Sequence, residues 1–314
     1  MNPLIIILII ISSVLILFFG VTYICYSLVF KTTKHQKRYD KFSVPNGKIY
    51  LPHKEQMIAW QKEARDIPHE NIEIKSFDGL TLRGKFYEYE KNAPIEIMFH
   101  GYRGNSERDL AGGVQRCFAL KRSTIIIDQR GQGKSDGNLI TFGVYEKYDA
   151  LAWANYAYER FGDSVSLILT GISMGASTVL LASELSLPKT VKGIIADCGY
   201  SSAKKIIIKV IKNIHLPSFI FYPIISLGAK VYGKFSLSDA DCEKALKYAK
   251  VPVLFIHGTT DAFVPSYMSE ENFNACACEK DILLVDGAGH GLAYVIGADA
   301  YFKAIEDFDK KINL

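Results

Sequence analysis

The sequence predicts an α/β architecture: a mostly parallel central sheet with helices on both faces, a helical cap inserted late in the chain, and a membrane-spanning helix at the N-terminus. Three observations carry this reading. Residues 4–30 contain no charge. After Pro68, short β-branched runs alternate with helical stretches, the mark of a parallel sheet covered by helices. One of those runs, Val165 to Leu169, leads directly into Gly171-Ile172-Ser173-Met174-Gly175 and then an apolar helix.

The N-terminal run from Leu4 to Phe30 is dominated by Ile, Leu, Val and Phe. As a helix it is long enough to cross a hydrocarbon core of about 30 Å. A secretory signal fits less well, because the run exceeds the usual h-region of about 7–15 residues and has neither a basic n-region nor a small-x-small end. A buried core helix could also be apolar on every face, but a chain with a full body after it has no need of one. Lys31, Lys34, Lys37, Arg38 and Lys41 follow on the C-terminal flank, so the positive-inside rule puts the rest of the chain in the cytoplasm. The expectation is a single-pass membrane protein with an anchor at 1–30 and a connector at 31–69. Within the connector, Lys54 to Arg65 is free of Gly and Pro and reads as a short helix between Pro52 and Pro68 that lifts the body off the bilayer.

The body, residues 70–314, is large enough for a substantial core, and the 49% hydrophobic content excludes a disordered or fibrous chain. Net charge is only +4 and the basic residues are scattered beyond the juxtamembrane cluster, so nucleic acid is not an expected partner. The six cysteines lack zinc-site spacing, and Cys276 and Cys278 are too close for an ordinary bridge, so all read as free thiols. No metal or organic cofactor is expected. Gly131-Gln132-Gly133, inside Asp128 to Ser135, lacks the third glycine and acidic partner of a dinucleotide site; it reads as a tight turn with Asp128 and Arg130 in structural bonds.

Along the body, Ile72 to Phe77 and Leu80 to Tyr89 form an opening antiparallel pair turned at Asp78-Gly79. Ile95 to Phe99 and Thr124 to Ile127 follow as strands, with a helix near Arg108 to Leu120 between them and another at Val144 to Phe161. Val165 to Leu169, Val191 to Ala196, Val253 to Ile256 and Ile282 to Val285 supply further strands. Helices are expected at Met174 to Leu185 and Tyr294 to Lys311.

Ser173 sits between an apolar strand and an apolar helix, where a sharp turn would expose its oxygen as a nucleophile. Glycines at 171 and 175 remove side chains that would collide in such a turn. The helix start behind it offers free N–H groups and a positive dipole end, both favouring an oxyanion. A serine hydroxyl still requires a base. His290, in the glycine-rich Gly287 to Gly291 loop after the last strand, is placed to supply it. Two acids compete to orient that imidazole. Asp261 follows the Val253 to Ile256 strand, and Asp197 ends the strand before it. Asp261 is favoured because its loop lies closer to the histidine loop and gives the chain order Ser173, Asp261, His290. His257 and His100 read as structural donors.

Together, His100-Gly101, Asp128-x-Arg130-Gly131-x-Gly133-x-Ser135, the Ser173 turn, Asp261 and His290 resemble the α/β-hydrolase superfamily. They are most similar to its bacterial membrane-anchored members related to prolyl-oligopeptidase and dienelactone-hydrolase-like esterases. The resemblance covers residues 70 to 314 and implies a serine hydrolase; cleavage of ester or thioester bonds, on a small-molecule or lipidic acyl substrate, is the leading expectation. It implies an oxyanion hole from the N–H of Met174 and a donor in the loop after the third strand, assigned to Tyr102. Substrate is not implied, because this fold hosts many. A serine peptidase or amidase is the alternative enzyme, and a non-catalytic anchored scaffold the alternative outside enzymes. The stretch at about 199–250 exceeds what the bare fold needs and reads as the cap. In it Ile206, Ile207, Val210, Ile211 and Ile214 share one helical face and Lys205, Lys209 and Lys212 another.

Overall fold

The structure, a computed structural model, describes residues 2–32 and 41–314. Lys34, Lys37 and Arg38 of the basic cluster lie outside the described residues. The chain opens with helix α1 (Pro3–Phe30), then a 3₁₀ turn (Lys48–His53) and α2 (Lys54–Asp66). Strands β1 (Glu70–Lys75), β2 (Thr81–Tyr87) and β3 (Ile95–Phe99) lead to α3 (Ser106–Ala119), β4 (Ser123–Asp128) and α4 (Glu146–Phe161). Next come β5 (Leu167–Ile172), α5 (Met174–Ala182) and β6 (Val191–Asp197), then α6 (Ala203–Asn213), α7 (Ser218–Gly228) and α8 (Cys242–Leu246). The chain closes with β7 (Val253–Gly258), α9 (Tyr267–Ala275), β8 (Lys280–Val285), α10 (Ala293–Ile296) and α11 (Ala298–Lys311).

The eight strands form one sheet in the order β1-β2-β4-β3-β5-β6-β7-β8. β1 and β2 pair antiparallel, β2 joins β4 antiparallel, and every later pairing is parallel. The α/β architecture predicted from the sequence is thus present. Its cause is visible in β3 and β4, buried along their whole length, as strands covered by helices on both faces must be. The hairpin turns where predicted, with Gly79 at φ +87° and the Ser76 N–H donating to the Leu80 carbonyl.

The last two turns of α1 belong to the body. Residues 3–21 are exposed, whereas Thr22, Tyr26 and Phe30, one stripe at i, i+4 and i+8, are buried. Phe30 meets the rings of Phe142 and Phe235 edge-on at 5.8 and 5.2 Å. Gly228 lets α7 close on this stripe, since a Cβ there would lie 2.8 Å from the Cβ of Tyr26. The free carbonyls at the helix end are also taken up. The Tyr102 hydroxyl donates to Val29 O at 2.6 Å, Arg103 Nη2 to Leu28 O at 2.6 Å, and Ile140 N–H to Phe30 O at 2.8 Å.

The connector holds its predicted short helix against the body. Its helix α2 lies on α3, with the Trp60 ring in a recess left by Gly112 and stacked on Tyr294 at 5.4 Å. Arg65 and Lys85 converge on Glu107 at 2.7 and 2.6 Å. A helix carrying Trp60 and Ala64, followed by Ile67, has apolar surface to bury, and the nearest place is the body. The predicted C-terminal helix is interrupted: the Gly297 backbone leaves the helix at φ −123°, ψ 47°, and the chain breaks there into α10 and α11.

Candidate active site

Ser173 joins β5 to α5 in a backbone conformation of φ +57°, ψ −117°, a strained region for any residue with a side chain. Its neighbours permit it. A Cβ at Gly171 would lie 2.1 Å from the Gly175 carbonyl carbon, and one at Gly175 would lie 2.1 Å from the Phe99 carbonyl oxygen. The Ser173 N–H donates to Asp197 O at 2.8 Å, tying the turn to β6.

The two loops after β7 and β8 bring Asp261 and His290 to this turn. His290 Nε2 lies 2.9 Å from Ser173 Oγ, and its Nδ1 lies 2.6 Å from Asp261 Oδ2. A carboxylate can only accept, so Nδ1 carries the proton and Nε2 is left to accept from the serine. Asp261 Oδ1 accepts the N–H groups of Phe263 and Val264, both at 2.9 Å. Burial raises its carboxyl pKa, but hydrogen bonds from His257 and His290 outweigh this and hold it down to about 2. The Tyr50 hydroxyl, from the 3₁₀ turn before α2, donates to the His290 carbonyl at 3.0 Å and steadies the loop from outside.

Asp197 is not aimed at His290. Its Oδ2 accepts the Tyr301 hydroxyl at 3.1 Å, and burial raises its pKa. His257 has Nε2 2.8 Å from Val264 O and Nδ1 2.6 Å from the Ser269 hydroxyl, so it braces the acid loop. His100 accepts the Gln129 N–H through Nε2 at 3.0 Å and donates from Nδ1 to Gly101 O at 2.7 Å, stapling the loop after β3 to the turn after β4. Burial lowers its pKa and keeps it neutral. Beside it Asp128 accepts the Ser106 and Lys134 N–H groups, and Arg130 pairs with Asp149 and Asp78.

Among the described residues, Cys198, Asp261 and His290 form a cluster of metal-ligand type, their ligand atoms within 4.8 Å of one another. Both nitrogens of His290 are already committed, and burial pushes the Cys198 thiol well up, so it stays protonated. This donor set is poorly suited to a metal.

A cavity of about 450 Å³ opens from Ser173. Tyr102 and Met174 line it next to the serine, and the Tyr102 loop backs onto the turn, with a Cβ at Gly101 reaching 3.5 Å from Ser173 Cβ. The isoleucine face of α6 forms one wall: Ile206, Ile207 and Ile211 are buried, and Val210 and Ile214 complete the lining. Phe221 and Ile225 of α7 form another. The third wall was not anticipated from the sequence: it is Cys25, Leu28 and Val29 of α1. Tyr50, Phe142 and Phe263 were missed as well. Phe263 carries no pattern; it lines the cavity and packs edge-on against His290 at 5.1 Å.

Comparison with known proteins agrees with this fold. A family model described as alpha/beta hydrolase fold matches residues 97–222. The uncharacterized protein YqkD of Bacillus subtilis is 23% identical over 76% of this chain and 79% of its own length. Protein bem46 of Schizosaccharomyces pombe is 25% identical over 77% of each. Among solved structures, the Pyrococcus furiosus esterase Pf2001 superposes with a TM-score of 0.65 at 17% identity, covering 86% of this chain and 98% of that one. The acetyl xylan esterase from Paenibacillus sp. R4 gives 0.57 at 16%, covering 89% and 99%.

Proposed function

We propose that this chain, which has the α/β-hydrolase fold, is a membrane-anchored serine hydrolase that cleaves carboxylic ester or thioester bonds on acyl substrates with long apolar chains. The observation that carries the reading is His290, bonded to Ser173 Oγ at one nitrogen and to Asp261 at the other. In the first step Ser173 Oγ attacks the acyl carbon while its proton passes to His290 Nε2, and Asp261 stabilises the imidazolium. The backbone N–H groups of Tyr102 and Met174 receive the oxyanion. Collapse breaks the bond to the leaving oxygen or sulfur, which takes the proton from His290. Water then adds to the acyl-serine with His290 as base, and expulsion of Ser173 Oγ, reprotonated by His290, releases the acid. The isoleucine-lined cavity supports an apolar acyl group, and similarity to esterases supports ester chemistry.

A fluorophosphonate probe tests this directly, because phosphorus accepts the activated oxygen as an acyl carbon does. Wild-type protein is expected to label at Ser173 and Ser173→Ala not at all. Labelling that survives Ser173→Ala would sink the mechanism.

Anchoring rests on α1, which is long and apolar enough to cross a membrane. Burial of Phe30 and Tyr26 in the body supports a helix that is retained rather than removed. With Lys31 to Lys41 on its inner flank, the body faces the cytoplasm. Protease added to intact wall-less cells is expected to spare residues 41–314, and digestion of the body from outside would reverse the orientation.

A further inference from the structure

The geometry points to a substrate that enters sideways from the bilayer: a lipid ester whose acyl chain passes between α1 and the cap and lies against Cys25, Leu28 and Val29 of the anchor helix. The inference rests on the ester-hydrolase reading and adds to it where the substrate comes from and which residues select it.

The depth of the cavity follows from the length of α1. Its exposed residues 3–21 rise about 28 Å at ~1.5 Å per residue, slightly less than a hydrocarbon core of about 30 Å, and any tilt shortens the span further. The first buried residue, Thr22, therefore stands at the edge of the hydrocarbon. Cys25 lies about 4 Å beyond it, inside the headgroup layer of roughly 5–7 Å in which a lipid holds its ester bond, and Leu28 and Val29 lie about 9–11 Å beyond it, just past the outer edge of that layer. The cap reaches the same level or deeper, because the Tyr232 hydroxyl donates to Phe19 O at 2.9 Å.

The mouth of the cavity is apolar. Leu28, Ile214, Leu216 and Phe263 line the cavity and are also exposed, so they form its rim, and Leu28 on α1 is 67% exposed. Next to this rim, Phe219 at 79% and Ile220 at 46% leave a further apolar surface at the start of α7. A rim of this kind facing water would be a liability. Placed against the helix that crosses the membrane, it is continuous with the surface that lipid already covers.

The test uses the full chain reconstituted in phosphatidylcholine vesicles, with methylumbelliferyl palmitate in the bilayer and methylumbelliferyl acetate in the water. Leu28→Trp, at an exposed position, and Val29→Trp, at a half-buried one, are each expected to lower the palmitate-to-acetate ratio of kcat/KM at least 10-fold. An unchanged ratio in both would overturn the inference. In a second arm, palmitate ester loaded into enzyme-free vesicles is expected to be cleaved far more slowly than ester in the enzyme's own membrane, and equal rates would overturn lateral entry. Failure of the wild type to cleave either ester while still labelling with fluorophosphonate would instead count against the ester-hydrolase reading.

Discussion

Asp261→Asn is expected to lower kcat about 10⁴-fold, and His290→Ala by a comparable or larger factor, with the protein remaining folded. The amide can donate where the carboxylate only accepts. It then favours the imidazole tautomer with its proton on Nε2, the atom that must take the proton from Ser173, and triads of this geometry lose about 10⁴ on that change. Asp197→Asn separates the two acids. Its carboxyl bonds Tyr301, away from the imidazole, so kcat is expected to change far less. Single-turnover acylation followed alongside circular dichroism makes the measurement; a crippled Asp197→Asn beside a mild Asp261→Asn would mean the acid is misassigned.

Gly175→Ala is expected to cost upwards of about 3 kcal/mol in unfolding free energy, at the upper end of the usual range for overpacking. The added methyl would sit 2.1 Å from Phe99 O, 2.5 Å from Phe99 C and 2.8 Å from His100 O, all of them backbone atoms that cannot rotate aside. Relief requires β3 and the Ser173 turn to separate, which also moves the Tyr102 N–H away from the serine. Fluorophosphonate labelling is therefore lost with stability. Gly289→Ala is the control: its methyl would come no closer than 3.4 Å to Ile49, an ordinary contact. Thermal unfolding checks both, and equal losses would show that crowding at Gly175 is not the cause.

Much of this was legible in the sequence, where local chemistry decides the outcome. β3 runs from Ile95 to Phe99 as predicted, and β6 differs by one residue at its end. The Ser173 turn was legible because both glycines and the flanking apolar runs are consecutive. What the sequence hid is what depends on pairing between distant segments. Nothing in Thr81–Tyr87 announces β4 as its second neighbour. Tyr50 is one tyrosine among 18, and its bond to the His290 carbonyl spans 240 positions. The role of α1 left one signal: its 28 residues exceed the ~20 that a bilayer needs, and the surplus is the part that packs into the body. The packing of α2 on the body was hidden for the same reason, since the recess for Trp60 is built by Gly112 and Tyr294, far along the chain.

The shared wall of the cavity also bears on how quickly the enzyme turns over. A water-facing hydrolase that draws a fatty chain out of solution gains about 0.8 kcal/mol for each methylene it buries, and must give all of it back to release the acid. On the proposed entry from the bilayer, the chain would instead move from lipid into a cavity lined by leucine, valine and isoleucine, and lipid tails are as apolar as leucine. That transfer would be nearly neutral in both directions, so long chains would neither bind tightly nor linger. Discrimination among substrates then comes from the shape of the slot beside α1, and the freed acid has the membrane it came from as its exit.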